Sequence, residues 1–312
     1  MTTVIYDDIY LKHNTGANHP ENATRIINTI EHLRSTGIWQ KLDIKKPRAA
    51  TREEVSTVHT ISQIEQISEI AGTGGGYLDP DTYVSSDSYE AALYAAGALP
   101  TAIDLVMDKK ADNAFCLVRP PGHHATPTKA MGFCLFNNVA IAARYIQSEY
   151  NLDRIAIIDW DVHHGNGTQD AFYGDPSVLY FSMHKYPFYP GTGAKEEIGK
   201  GSGAGFTINI PLSYNTEPQE YLEIFDDTMK KRIKSFDPQF VLISSGFDAY
   251  RLDPISGLSL EASDFNALTK LTRNIANDCC EGRIVSCLEG GYHLLDLPKC
   301  IKEHLKGLMR DS

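Results

Sequence analysis

The sequence has few of the features that divide, export or anchor a protein. No proline-, serine- or glycine-rich tract, charge block or internal repeat interrupts its 312 residues, which predicts a single domain over residues 1–312. The N-terminus has neither a basic leader nor an apolar segment behind one, and no window approaches the ~18 apolar residues needed to span a bilayer. We therefore expect a soluble cytoplasmic protein, or a nuclear one if the source is eukaryotic, with no membrane partner.

Positive charge and paired cysteines are also scarce. The chain has 29 Lys and Arg against 40 Asp and Glu, a net charge of -11, which disfavours direct contact with a nucleic acid. Its six cysteines include no Cys-x-x-Cys pair and lie in or beside apolar segments. Buried free thiols are therefore expected, rather than disulfides or a cysteine zinc site. The oligomeric state is left open.

Short apolar strands alternate with amphipathic helices. Strands rich in β-branched residues are predicted at 4–6, 113–118, 154–158, 178–182, 207–210, 240–244 and 284–288. Helices are predicted at about 21–35, 61–70, 89–107, 137–150, 218–234 and 261–278, with a short one opened by the capping box of Thr51 and Glu54. Pro100 should kink or split its helix, and the glycine stretches 72–76 and 199–205 should be loops. The predicted fold class is α/β: a single domain with a mostly parallel central β-sheet of about eight strands and helices on both faces.

The segment Asp159-Trp-Asp-Val-His-His-Gly-Asn-Gly carries the strongest functional signal and directly follows the strand candidate 154–158. If the chain stays extended, Asp159, Asp161 and His163 lie on one side, because strand side chains alternate with period two. The carboxyl end of a strand in an α/β sheet is where ligands and metals bind. Asp248, after another strand candidate, would join Asp161 and His163 in an O/N ligand set that leaves open positions on a zinc-like ion.

Polar residues after two further strand candidates would complete a hydrolytic site at the same edge. The tandem His123 and His124 would move protons between water and a leaving amine. Tyr292 would donate a hydrogen bond to the developing oxyanion. Together with the ligand set, these parts predict amide hydrolysis.

Each residue taken alone has a simpler interpretation. An Asp after a strand usually caps a turn or a helix, and a lone His is more often structural. For His164, which would face away from the ligand set, the structural interpretation is preferred. Cys134 has no base of its own and is expected to pack rather than to act as a nucleophile. The combination of motifs, rather than any single one, indicates an enzyme.

These motifs resemble the histone deacetylase family, within the arginase/deacetylase fold, and in particular its class II and bacterial histone deacetylase-like amidohydrolase branch. The match covers nearly the whole chain. The matching stretches are His19-Pro-Glu, Arg25, Val58-His-Thr, Asp79-x-Asp-Thr, Arg119-Pro-Pro-Gly-His-His, Gly132-Phe-Cys-x-Phe-Asn-Asn, Asp159-Trp-Asp-Val-His-His-Gly-Asn-Gly-Thr-Gln, Pro190-Gly-Thr-Gly, Gly246-Phe-Asp-Ala and Glu289-Gly-Gly-Tyr.

The resemblance implies a catalytic zinc ion and a role for each residue around it. Zinc would bind to Asp161, His163 and Asp248, a ligand set that also tolerates ferrous iron. Tyr292 would polarise the scissile carbonyl, and His123 and His124 would form the acid/base pair. Structural potassium is implied as well. One site would use Asp159, Asp161, His163, Ser182 and Met183, and a second would lie near Phe172, Asp175 and Val178.

The same resemblance gives the two histidines different partners. Asp159 would orient His123, whereas Asn166 would face His124 where class I relatives carry an aspartate. Because an Asn cannot stabilise an imidazolium by charge, His124 should be less basic than with a carboxylate partner. We expect His124 to shuttle the proton and His123 to supply hydrogen bonding and positive charge.

The resemblance also implies a narrow acyl-lysine tunnel. Phe133, beside Gly132, and Tyr189 match its aromatic walls, Tyr189 replacing the commoner Phe and adding a hydroxyl at the rim. Polyamine-selective relatives carry an acidic gatekeeper in an Asp-Pro-Glu context, where this chain has Ile255. An aliphatic residue there cannot select a distant ammonium, which lowers the polyamine interpretation but leaves open an acidic residue from another loop.

The primary hypothesis is a zinc-dependent deacetylase that hydrolyses N-acetyl-lysine in a protein or peptide. The alternatives are an amidohydrolase of acetylpolyamines or related acetylated amines, and an inactive acyl-lysine-binding scaffold, which would not need the full set of catalytic residues. A dinuclear arginase-like hydrolase is disfavoured by the number of ligands.

Overall fold

A computed structural model of the chain describes residues 1–255 and 257–309. Its strands are β1 Thr2–Ile5, β2 Asp43–Lys45, β3 Gly75–Asp79, β4 Thr82–Ser85, β5 Asn113–Cys116, β6 Ile155–Asp159, β7 Val178–Lys185, β8 Thr207–Leu212, β9 Phe240–Ser245 and β10 Ile284–Leu288. Eight of them form one sheet in the order β2-β1-β5-β10-β9-β6-β7-β8, and all its pairings are parallel. The strands β3 and β4 form a separate antiparallel hairpin.

Helices cover both faces of the sheet. They are α1 Thr24–Ser35, α2 Arg52–Ser56, α3 Ile61–Gly72, α4 Ser88–Met107, α5 Asn138–Tyr150, α6 Asn166–Phe172, α7 Pro218–Thr228, α8 Lys234–Phe236, α9 Ala262–Cys280 and α10 Leu297–Leu308, with a π-helical turn, Met229–Ile233, between α7 and α8. The pair α4 and α5 packs together, as does the pair α9 and α10. Strand β5 contacts α4 and α10, and β9 contacts α5 and α9, so one pair lies on each face.

The central strands are buried along their whole length, as their continuous apolar sequences predict. Every residue of β5, β6, β9 and β10 is buried. Because these neighbours all run in one direction, their carboxyl ends lie along one edge of the sheet. The loops that follow them therefore converge, and this edge positions the functional site.

The predicted single α/β domain with a parallel sheet is confirmed, and the predicted strands and helices are present within a few residues. The interpretation of residues 72–76 as a loop was partly wrong, since Gly75 and Gly76 begin β3. Sequence reasoning also missed β2, β4, α6 and α10. Helix α6 starts among glycines that suggest a loop, and in α10 the interspersed lysines obscure the apolar residues Leu297, Ile301, Leu305 and Leu308.

Helix α4 corrects two expectations. It runs unbroken through Pro100, so the predicted split was wrong; Pro100 and its neighbours Ala98 and Leu99 are buried, and this packing compensates for the lost backbone hydrogen bond. Among the described residues, α4 is also long and apolar enough to cross a membrane, contrary to the expectation that no segment approaches that length. However, 61% of the most apolar 18-residue stretch of α4 is buried inside the protein, so α4 also fits a core helix.

Candidate active site

Two carboxylates and one imidazole meet at the carboxyl edge of the sheet. Strand β6 ends at Asp159, and the brief extension predicted beyond it stops at a bend at Val162 and His163. Asp161 and His163 nevertheless lie together, because Asp161 Oδ1 accepts hydrogen bonds from the backbone N–H of His163 at 2.9 Å and from its Nδ1 at 3.0 Å. Asp248, after β9, completes a buried group whose ligand atoms all lie within 4.8 Å of one another.

The chemistry of this group fits a divalent cation. His163 Nδ1 also lies 3.1 Å from Asp248 Oδ2, so all three side chains face one point. Burial, and then the negative charge of Asp161, raise the pKa of Asp248. Two buried carboxylates repel each other unless a proton or a cation lies between them. Two oxygens and one nitrogen would hold zinc or ferrous iron with coordination positions to spare.

Backbone contacts hold the carboxylates against the strand ends. Asp161 Oδ2 accepts a hydrogen bond from the backbone N–H of Gly290 at 2.8 Å, and Asp248 Oδ1 accepts one from Val162 at 2.9 Å. A Cβ at Gly246 would lie 2.1 Å from Asp161 Oδ2, and one at Gly290 would lie 2.2 Å from Asp248 Oδ2. Glycine is therefore required at both positions by close approach to the carboxylates.

The tandem histidines stack beside this group and have the partners that the sequence predicted. Their ring centroids are 4.1 Å apart. His123 Nδ1 lies 3.1 Å from Asp159 Oδ2, and His124 Nδ1 lies 2.8 Å from Asn166 Oδ1. Since Asn166 Nδ2 is directed to the sulfur of Met131 at 3.5 Å, its Oδ1 is left to accept a hydrogen from His124.

Burial and neighbouring charges shift the pKa values of the two imidazoles in opposite directions. Burial lowers the pKa of His123, but the charges of Asp161 and Asp159 outweigh burial and raise the pKa to about 10. Burial lowers the pKa of His124 as well, and the nearby His123 and His163 lower it further, to well below its usual value. His123 is therefore the more basic imidazole of the pair and His124 the less basic one.

A narrow cavity of about 130 Å³ leads to this group from the surface. The predicted tunnel residues all line it, together with Phe188 and Asp81, which the sequence reasoning did not assign. Phe188 stacks on the ring of His163 with centroids 5.3 Å apart. A Cβ at Gly132, whose φ is +56°, would lie 2.5 Å from the His124 ring. The cavity is lined by Asp81, His124, Gly132, Phe133, His163, Phe188, Tyr189, Ile255 and Tyr292.

Tyr292 is buried in the wall of this cavity. Its backbone N–H donates to Asp253 Oδ2 at 2.7 Å, and its ring lies 4.9 Å from the Arg25 guanidinium and 5.8 Å from the Phe133 ring. Burial raises the pKa of Tyr292 well above its usual value. The phenol therefore keeps its proton at neutral pH and can donate it in a hydrogen bond.

A buried ionic network lies behind the site, where the sequence reasoning had noted only matching motifs. Glu21 accepts hydrogen bonds from Arg119 Nη2 at 2.8 Å and from Arg25 Nη1 at 3.1 Å. Arg25 also donates to the backbone oxygens of Glu289 at 2.6 Å and Gly291 at 2.7 Å. The network links the N-terminal segment to two site loops. In the sequence, this ionic network could have been inferred from the charged residues that lie within motifs otherwise rich in glycine and proline.

The first position predicted for potassium shares Asp161 and His163 with the candidate metal-ligand group. Asp159 and Ser182 are paired in register on β6 and β7, and Met183 follows. The hydroxyl of Ser182 contacts His184 Nδ1 at 2.8 Å. At the second predicted position, Asp175 Oδ2 pairs with Arg144 Nη1 at 2.7 Å. Potassium binding at both positions stays a prediction.

The residues expected to be structural have structural surroundings. His164 hydrogen bonds with Thr192 Oγ1 at 2.7 Å and with Gln169 Oε1 at 3.1 Å. Cys134 is buried, and burial raises the pKa of its thiol well above the usual value, which disfavours a thiolate nucleophile. All six cysteines are free, as expected.

The fold and the site define an α/β protein with a candidate divalent-metal site at the bottom of a narrow tunnel. Residues 19–308 match the model of the family described as "Histone deacetylase domain". The chain therefore belongs to the histone deacetylase family, as the motifs indicated.

Named relatives agree with this assignment. The chain is 40% identical over 294 residues to a "Probable deacetylase" of Archaeoglobus fulgidus, an alignment that covers 94% of this chain and 81% of that protein. It is 36% identical to the "Histone deacetylase-like amidohydrolase" of Pseudomonas aeruginosa, over 94% of this chain and 77% of that protein. Human "Histone deacetylase 9" is 39% identical over 94% of this chain and 32% of its own length.

A solved structure agrees with the fold. The crystal structure of the "HDA15 HD domain" superimposes with a TM-score of 0.92 at 34% sequence identity, covering 98% of this chain and 87% of that one. Family and relatives together identify the protein as an enzyme of the deacetylase and amidohydrolase class.

Proposed function

We propose that the protein is a zinc-dependent deacetylase that hydrolyses the side-chain amide of N-acetyl-lysine in a protein or peptide, releasing acetate and the free amine. The observation that carries this proposal is the buried group of Asp161, His163 and Asp248 at the bottom of a narrow tunnel. A tunnel walled by Phe133 and Tyr189 suits the alkyl chain of an acylated lysine.

The metal would be held by Asp161, His163 and Asp248. When bound there, zinc supplies Lewis acidity that polarises a carbonyl and acidifies water, and ferrous iron could replace it. Next to it, the Tyr292 hydroxyl would donate a hydrogen bond to the carbonyl oxygen of the substrate, an interaction that strengthens as negative charge develops on that oxygen.

The tandem histidines would divide the remaining work. With its Nδ1–H donated to Asn166, neutral His124 has a lone pair on Nε2 that can take a proton from the attacking water. The same nitrogen would then return that proton to the leaving amine as the C–N bond breaks. His123, held by Asp159, would supply hydrogen bonding and positive charge that stabilise the tetrahedral intermediate. Structural potassium beside Asp159 and a cytoplasmic location remain part of the proposal.

A second candidate substrate is favoured by one observation. Although Ile255 is aliphatic, Asp81 lines the same cavity from the turn between β3 and β4. The backbone oxygen of Asp81 contacts His19 Nε2 at 3.0 Å, and the adjacent Thr82 accepts a hydrogen bond from the Phe133 N–H at 3.1 Å, so the turn is tied to the tunnel. A carboxylate at this position would suit the second ammonium of an acetylpolyamine.

Acetate release by the zinc-loaded protein tests the proposal. An acetyl-lysine peptide and acetylated putrescine are compared, each with and without a hydroxamate inhibitor. We expect hydroxamate-sensitive release, with the higher catalytic efficiency on the peptide. A higher efficiency on acetylputrescine would support the polyamine candidate, and no release from either substrate at full zinc occupancy would support the inactive scaffold.

A further inference from the structure

The side chain of Glu289 is fully buried at the carboxyl end of β10 and binds the loop that carries the tandem histidines. Its Oε2 accepts hydrogen bonds from the backbone N–H of Gly122 at 2.7 Å and of His123 at 3.1 Å. Its Oε1 accepts one from the hydroxyl of Ser244 at 3.1 Å. Both carboxylate oxygens are therefore occupied, and neither faces the tunnel cavity.

The composition of this loop explains why a carboxylate suits the position. The loop begins Arg119-Pro-Pro-Gly, and its two prolines have no backbone N–H with which to anchor it. The first two donors after the prolines belong to Gly122 and His123. Successive backbone N–H groups form a concavity that favours an anion. Left unpaired in a buried loop, these two donors would be costly, and Glu289 pairs with both.

The backbone next to Glu289 connects the same loop to the rest of the site. The N–H of Glu289 donates to Ser245 at 3.1 Å, which extends β10 beside β9. The next residue, Gly290, donates to the metal-ligand candidate Asp161 at 2.8 Å. Two residues further on is Tyr292. One four-residue segment therefore contacts the tandem-histidine loop and the ligand group, and carries the phenol.

We propose that Glu289 is a positioning residue that sets the distance of the tandem histidines from Asp161 and Tyr292. The inference rests on the proposed hydrolytic function, since it assigns importance to the geometry of the groups named there. Glu289 itself touches none of the reacting atoms. It acts through hydrogen bonds to the backbone of the histidine loop.

Two conservative substitutions of Glu289 separate the effect of side-chain length from the effect of side-chain charge. In Glu289→Gln, the amide oxygen can still accept from Gly122 and His123, and the amide NH₂ can donate to the Ser244 hydroxyl, so the geometry survives without the charge. In Glu289→Asp, the charge survives, but the side chain is one methylene shorter and cannot reach both N–H groups and Ser244 together. If Glu289 positions the histidine loop, Glu289→Asp should disturb the loop and lower activity, whereas Glu289→Gln should change both only slightly.

Hydrogen exchange and kinetics test this prediction on the full-length zinc-loaded protein. For Glu289→Asp we expect amides in residues 119–125 to exchange at least ~10-fold faster. We also expect kcat to fall by ~10- to 10²-fold with KM and zinc content unchanged, because small misplacements of catalytic groups are costly. Glu289→Gln should stay close to wild type in both measurements.

A matched control lies on the same strand. Ser286 is buried, and its hydroxyl bonds to Ser245 at 3.1 Å and to His304 at 2.9 Å, away from the histidine loop. Ser286→Ala should lower the melting temperature without changing exchange in 119–125 or kcat. Unchanged exchange in Glu289→Asp, or a damaged Gln variant beside an intact Asp variant, would overturn the inference. If wild-type protein releases no acetate, the proposed function fails, whereas the exchange pattern still decides whether Glu289 holds the loop.

Discussion

The floor of the site and the wall of the tunnel differ in charge, although a single peptide bond joins them. The floor is His123 with Asp159, Asp161 and Asp248, all buried, and it therefore contains three carboxyl groups and one imidazole. The wall, formed by His124 with Phe133, Tyr189, Ile255 and Tyr292, contains aromatic and aliphatic side chains and no carboxylate among these members.

The difference shows how one dipeptide provides two chemically distinct groups. His123 and His124 are the same residue type at almost the same depth, yet the pKa of His123 is raised to about 10 by Asp161 and Asp159 against the effect of burial, and the pKa of His124 is lowered by burial and its cationic neighbours. Charged neighbours at the end of β6 and just after it, together with burial, create this contrast. Two titratable groups with divergent pKa values are typical of an acid/base site.

Removing a carboxylate from the floor should have the largest effect. In Asp161→Ala, one of three metal ligands is lost, and we expect loss of bound zinc and a fall in acetate release of ~10³-fold or more. Zinc content after gel filtration and acetate release measure both effects. Asp170→Ala, a change at an exposed carboxylate on α6, is the control and should alter neither. Full zinc occupancy and activity in Asp161→Ala would exclude the proposed ligand group.

Removing one hydroxyl from the wall should have the next largest effect. Tyr292→Phe keeps the ring beside Arg25 and Phe133 but loses the hydrogen bond to the developing oxyanion, so kcat should fall by ~10²- to 10³-fold. Zinc content should stay constant, which distinguishes this wall variant from the floor variant. Tyr189→Phe deletes a hydroxyl near the mouth and should cost much less. A normal kcat in Tyr292→Phe would rule out the proposed polarising role.

A carboxylate partner for His124 should make this wall histidine resemble His123 of the floor, which already has one. In Asn166→Asp, a negative charge within hydrogen-bond distance should raise the pKa of His124 from its lowered value. The proposed reaction needs neutral His124 to accept a proton. If the pKa of His124 is higher, this neutral form is already lost at a higher pH as the pH is lowered. The acidic limb of kcat/KM should therefore move to higher pH by ~1 unit or more. Asn166→Ala, which adds no charge, should not move it in that direction, and an unmoved limb in Asn166→Asp would argue against His124 as the proton acceptor.

Neutralising the carboxylate at the mouth should have the smallest effect. Burial, and then Asp79, raise the pKa of Asp81, which still lies in a partly exposed turn. In Asp81→Asn, catalytic efficiency on acetylated putrescine should fall by roughly 2- to 5-fold, the range of a partly solvated ion pair, with less change on a neutral acetyl-lysine peptide. Equal changes on both substrates would show that Asp81 does not select charge.

Local patterns predicted the fold well, and they predicted that Asp161, His163 and Asp248 lie together. Apolar β-branched runs marked the buried strands, and the rule that strand ends meet at one edge brought Asp248 to Asp161 and His163 across more than eighty residues of chain. The same rules missed α6, whose first residue Asn166 lies among glycines, and they did not predict the bend at Val162 and His163. Short stretches with competing turn and helix signals are not decided by local propensity alone.

The sequence by itself determined the residue types of the site and the strand ends from which they project, because periodicity and strand direction are properties of short segments. Only the tertiary structure decided which side chains meet. Glu289 reaches the backbone of His123 across 166 positions, Phe188 stacks on His163, and Asp81 enters the tunnel from a separate hairpin. The tertiary structure also decided the opposite pKa shifts of His123 and His124. Burial and the distances to neighbouring charges set a pKa, and both arise only when the chain is folded.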